Sequence, residues 1–104
     1  MTDILMIYIT CPDRDVAQTI ARTLVEEKLI ACANILNGVT SIYKWQGKVE
    51  ESSECLLLAK TVRHRWAEIK KRVLEIHPYE NPCLIAYKAA EVGSAFGAWI
   101  RVTI

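Results

Sequence analysis

The feature that most constrains this chain is Gln46-Gly47 together with the two long strand-like runs it joins. A two-residue link in which glycine tolerates positive φ reads as a hairpin turn. Before it, Ile30-Ala31-Cys32-Ala33-Asn34-Ile35-Leu36 is small and β-branched, and Val39 to Trp45 follows. After it, the return strand runs from Lys48 to about Lys60, with Glu50, Glu51 and Glu54 ahead of the apolar run Leu56-Leu57-Leu58-Ala59. Each arm is about twice the ordinary strand length of five or six residues. Tyr43 and Trp45 share a face by the two-residue period of a strand. An aromatic ribbon that overhangs its own sheet invites aggregation unless something pairs it, and symmetric self-pairing is the economical answer. The hairpin therefore predicts an oligomer without giving the number of subunits.

The segments around the hairpin set the fold class. Ile4-Leu5-Met6-Ile7-Tyr8-Ile9 is a continuous apolar run, as in a central strand buried on both faces. Pro12-Asp13 ends it, and Asp13 suits the N-cap of a helix that carries Val16, Ala17, Ile20, Ala21, Leu24 and Val25 and ends near Lys28. A second helix places Trp66, Ile69, Val73 and Ile76 on one face and stops at His77-Pro78, because the residue before proline avoids the helical region. Pro82 to Lys88 reads as a fourth, edge strand. Gly93-Ser94 opens a short terminal helix with Phe96, Trp99 and Ile100, expected to fray over Val102-Thr103-Ile104. The order β-α-β-β-α-β predicts an α+β, ferredoxin-like split βαβ sandwich, one domain over residues 1–104.

Composition excludes several classes. The net charge is +1, and the one dense basic cluster, Lys60 to Arg72, falls around a helix as a solvated face, so no nucleic-acid partner is expected. No apolar run approaches the roughly 20 residues that span a bilayer, so no membrane partner is expected either. The start, Met1-Thr2-Asp3-Ile4, lacks the basic region of a secretory leader. Four cysteines, none in a CxxC pair, then imply a cytoplasmic protein with reduced thiols. The 52% hydrophobic share is slightly high and suggests surface buried between subunits.

Strand and helix directions bring Cys11, His77 and Cys83 to one end of the domain, with Asp13 and the hairpin tip. Thiolate and imidazole form a soft ligand set suited to copper(I) or zinc, so these three are the candidate metal residues. The commoner roles are a cysteine packed as a small hydrophobe and a histidine set against a helix C-terminus. Cys32 and Cys55 lie in strand interiors and read as packing residues. Glu50, Glu51 and Glu54 read as edge charge with some capacity for hard cations, and Lys60 as a partner for one of them. No glycine-rich phosphate loop, nucleophile elbow or paired-histidine zinc motif occurs, so no catalytic residue is assigned.

Several separated motifs in register resemble the CutA divalent-cation tolerance family. They are Ala31-Cys32-Ala33-Asn34-Ile35, Ser41 to Lys48, Glu54 with Lys60-Thr61, and His77-Pro78-Tyr79-Glu80-Asn81-Pro82. The resemblance runs from about residue 4 to 101. It implies a ferredoxin-like homotrimer whose long hairpins pair between subunits, and a non-catalytic role in tolerance of copper or another divalent cation. It also points to an inter-subunit cleft with Tyr43, Trp45, Glu54, Lys60 and Tyr79. The chain departs from the family pattern: Ile9 stands where some members have a cysteine, Ile76 where the first of two histidines stands, Cys83 for a glutamate and Phe96 for a tyrosine. Cys11 is the expected substitute for the missing cysteine. A small-molecule sensor of the PII kind is the alternative reading, weakened by the tight hairpin turn; a protein partner is not specified.

Overall fold

A computed structural model describes residues 3–104, so Met1 and Thr2 of the leader reading lie outside the described residues. The elements are β1 (Ile4–Cys11), α1 (Arg14–Glu26), β2 (Cys32–Trp45), β3 (Lys48–Val62), α2 (Trp66–Ile76, entered through a 3-10 turn at Arg63–Arg65), β4 (Leu84–Lys88) and α3 (Ser94–Thr103). The four strands form one antiparallel sheet in the order β2-β3-β1-β4. The result is an α+β fold with the expected β-α-β-β-α-β series and a terminal helix.

Each helix follows from its local chemistry. The Asp13 carboxylate accepts a hydrogen bond from the Val16 N–H at 2.9 Å, satisfying a donor that the first turn of α1 leaves open. Ala17, Ile20 and Leu24 are the buried face of α1, and Ile69 and Val73 that of α2. They pack on Leu5, Ile7, Ile9, Leu57 and Ala59 from one face of the sheet. Burying each larger aliphatic side chain contributes about 1.5–3 kcal/mol. Helix α1 ends where Lys28 turns left-handed at φ 59° and Leu29 N–H donates to the Leu24 carbonyl at 2.9 Å. Among the described residues no helix is long and apolar enough to cross a membrane.

The hairpin is one continuous pair of strands. Gln46 and Gly47 both take positive φ, 51° and 81°, the backbone of a two-residue turn that suits strand twist. Leu36 opposes Leu56 and Val39 opposes Glu54, so Asn37 and Gly38 together face Cys55 alone: a β-bulge, with Gly38 at φ 74°. Pairing with β1 reaches only from Cys55 to Val62, which leaves Lys48–Glu54 held by β2 alone. This overhang draws the molecule out to 44 Å along one axis against 26 and 23 Å.

Two expectations change. Strand β4 begins at Leu84, not Pro82, since proline has no N–H to give the ladder. Helix α3 runs to Thr103 instead of fraying at Val102, because the Thr103 hydroxyl bonds the Trp99 carbonyl at 2.6 Å and Ile104 packs with Ile4, Val62 and Ile100.

Candidate functional site

The candidate site forms where β1 ends and the longer β3 continues past it. Strand β1 delivers Thr10 and Cys11. Helix α2 stops at Ile76, and His77 turns to extended backbone ahead of Pro78, which aims its ring at β1. The buried ring is held at both nitrogens: Nε2–H donates to the Thr10 carbonyl at 2.9 Å, and Nδ1 accepts from the Tyr79 N–H at 3.1 Å. Since Nδ1 accepts, the ring proton sits on Nε2. The Tyr79 ring packs on His77 with centroids 4.8 Å apart, and its hydroxyl donates to Glu54 Oε2 at 2.8 Å.

These contacts fix the protonation of the site. Burial raises the Tyr79 phenol well above its usual range, and the hydrogen bond and charge of Glu54 push it further; Tyr43 adds a smaller increment in the same direction. The Cys11 thiol is pushed up to about 12, first by burial and then by Cys55, Glu54 and Asp13. A thiol so raised stays protonated at neutral pH and is a poor nucleophile. Glu54 is bound by a phenol, and the imidazole holds two backbone groups, so neither stands free as a base.

The residues named from sequence divide into three places. Glu54 and Tyr79 come together beside His77 and Cys11, while Tyr43 lies farther out on the hairpin, opposite Glu50, and reaches Tyr79 only through a small electrostatic influence. Trp45 lies out at the exposed hairpin tip. Lys60 lies at the far end of β3, opposite Met6 and Cys32, where its ammonium bonds Asn34 Oδ1. The expected pairing of Lys60 with an acidic residue of the hairpin is therefore corrected. Glu54 is corrected too, from a solvated edge charge to a residue only 9% exposed.

The Cys11, His77 and Cys83 set does not assemble. Half-buried Cys83 lies one residue outside the Ile9–Leu84 pair that ends the β1–β4 ladder. Among the described residues no group of three or more His, Cys, Asp or Glu side chains is placed to hold a metal ion. The physical reason is His77: a ligand nitrogen must be an unprotonated lone pair, and the one this ring has is taken by the Tyr79 N–H.

Some contacts were not foreseen. Cys55 lies directly across from Cys11 in the β1–β3 register. Its thiol donates to Asn37 Oδ1 at 3.3 Å, and the same oxygen accepts from Arg14 Nη1 at 3.3 Å. Counting back from the Gln46-Gly47 turn would have put Asn37 near Cys55, but nothing in the sequence sets the register of β1 against β3.

Comparison with known proteins adds the lineage. The profile of the CutA1 divalent ion tolerance protein family matches residues 5–103. The chain belongs to the CutA divalent-cation tolerance family. A relative named divalent-cation tolerance protein CutA from Thermus thermophilus is 48% identical over 96 residues, covering 92% of this chain and 93% of its own. Human protein CutA is 39% identical over 94 residues, 90% of this chain but 52% of its own length, so this chain spans about half of that relative. The crystal structure of CutA from Xylella fastidiosa superposes with a TM-score of 0.96 at 38% identity, covering 99% of each chain. The overhanging hairpin and the motifs at 31–35, 41–48 and 77–82 thus lie inside a region shared with CutA proteins from other organisms.

Proposed function

We propose that this is a divalent-cation tolerance protein that acts as a metal-responsive homotrimer without catalytic turnover. The observation that carries it is the uncovered face of the sheet in a chain of the CutA family. Helices α1 and α2 cover one face. On the other, Met6, Leu36, Ile85 and Tyr87 stay exposed, and Tyr8 stands edge-on to Tyr87 with centroids 6.4 Å apart. Trp45 and Tyr43 extend that apolar surface along the hairpin. A surface of this kind marks an interaction site, and identical copies satisfy it by symmetry. The count of three and the pairing of hairpins between subunits are part of the proposal, as is a cytoplasmic location, with which four free cysteines are in keeping.

A non-catalytic role suits a site whose phenol, carboxylate and imidazole bind one another and the backbone. The cation, copper or another divalent ion, is what the protein responds to, and the Cys11–His77–Cys83 set as folded does not fit it. The sensor alternative gains no observation, since the hairpin closes in two residues. The test is mass in solution by light scattering, with calorimetric titration of copper(II) and zinc(II). A three-subunit mass with saturable heat supports the proposal; a monomer, or a trimer that takes up neither ion, overturns it.

A further inference from the structure

We propose that Cys11 and Cys55 form a two-sulfur site for a soft monovalent cation, copper(I), with Asn37 and Arg14 as its outer partners. The two residues are direct cross-strand neighbours of β1 and β3. The Asp3 carbonyl accepts from the Arg63 N–H on the β3 side, and the Ile4 carbonyl from the Ala89 N–H on the β4 side. Odd-numbered residues of β1 therefore turn their backbone groups toward β3, and Cys11–Cys55 is a hydrogen-bonded pair, with α-carbons about 5.5 Å apart in regular sheet. Both side chains enter the helix-covered interior, at 0% and 6% exposure.

Two cysteines that merely fill space would meet only apolar neighbours. Here one thiol faces a polar path to the surface. The Cys55 S–H donates to Asn37, an exposed residue of the bulge, and Asn37 is held by the guanidinium of Arg14. The path supplies an entrance and a nearby positive charge.

Thiolate sulfur selects copper(I), and that ion is satisfied by two such ligands in a line, so no third side chain is required. On binding, both S–H bonds break, two copper–sulfur bonds form and two protons leave to solvent. No oxidation state changes, and the site gains one negative charge. Arg14 and the positive end of α1, which starts just after Cys11, offset that charge. A half-turn of the Asn37 amide replaces its acceptor oxygen with an N–H donor toward sulfur. Asp13 and Glu54 act the other way on the complex while favouring entry of the cation. This inference extends the metal reading above but does not rest on it, since divalent ions and copper(I) are assayed separately.

The test is anaerobic titration of the reduced full chain with copper(I), against a chromophoric copper(I) chelator, with X-ray absorption at the copper edge. The expected result is one ion per chain with two sulfur neighbours. Cys11→Ser and Cys55→Ser should each weaken retention by more than the roughly 10–100-fold that outer partners of a metal usually control, and Asn37→Ala or Arg14→Ala by about 10-fold. Cys32→Ser, Cys83→Ser and His77→Ala should leave retention unchanged. Cys55→Val, which keeps the apolar volume, must match Cys55→Ser, and circular dichroism verifies its fold. Wild-type retention in folded Cys55→Val overturns the proposal, as does loss in Cys83→Ser or His77→Ala equal to that in Cys11→Ser. Formation of a Cys11–Cys55 disulfide by a protein that yields all copper(I) to the chelator overturns it in favour of an oxidation pair.

Discussion

On the helix-covered face of the sheet, Ile7, Ile9, Leu57 and Ala59 lose all contact with solvent, while on the opposite face of the same sheet Met6, Leu36, Ile85 and Tyr87 keep between 36% and 48% of theirs. The two faces are built from similar side chains. They differ because the chain has two helices for the first and only α3, at one end near Ile4 and Val62, for the second. Hydrophobicity alone therefore does not say where a core is. The supply of covering elements decides, and a face without one is left for another molecule.

Four perturbations break or sharpen this contrast. The largest is Leu57→Ala on the closed face, expected to cost about 2–5 kcal/mol through lost burial and the cavity left behind; urea unfolding measures it. Next, Ile85→Asp on the open face should leave the fold of a single chain nearly unchanged yet abolish assembly. Sedimentation would show a monomer whose unfolding midpoint no longer depends on protein concentration. If Ile85→Asp unfolds the chain instead, the two faces are not energetically separate. Third, Cys11 sits on the closed face with its thiol raised from 9.0 to about 12. The unfolded chain thus releases this proton first as pH rises, so its contribution is complete below pH 9 and is lost progressively toward 12. The slope approaches 1.4 kcal/mol per pH unit, about one proton's worth. Urea unfolding between pH 8 and pH 10.5, on about that range, should show a flatter decline in Cys11→Ser, which does not ionise. Smallest is Gly47→Ala at φ 81°, expected to cost about 1 kcal/mol. Its effect should grow at protein concentrations where the assembled state dominates, if the hairpin is used between subunits.

Much of the closed face was legible in the sequence, because helical spacing in 16–25 and 66–76 and the turn at Gln46-Gly47 are local signals. The overlong hairpin was legible for the same reason, and it foretold an unpartnered surface. The site was less so. Cys11, His77 and Cys83 were rightly sent to one end of the domain, but convergence of backbones does not decide where lone pairs point. His77 engages Thr10 through a carbonyl, a group every residue carries and no sequence advertises. Glu54 read as edge charge because its partner, Tyr79, lies 25 residues away. Cys55 read as filler because its cross-strand partner, Cys11, lies far away in the sequence, and no short motif encodes the pairing of β1 with β3.

The bulge at Asn37–Gly38 gives the hairpin something like a reading frame. Leu36 and Val39 stand on the same side of the sheet, three positions apart, only because two residues there oppose Cys55. Deleting Gly38 alone would leave Asn37 as the single residue opposite Cys55 and keep Val39, Tyr43 and Trp45 on the open side. A second deletion, with no bulge left to absorb it, would turn the outer arm over and exchange Tyr43 and Trp45 for Ile42 and Lys44. One deletion in this segment should therefore be tolerated and a second rejected, a rule that a library of hairpin deletions scored for assembly would reveal.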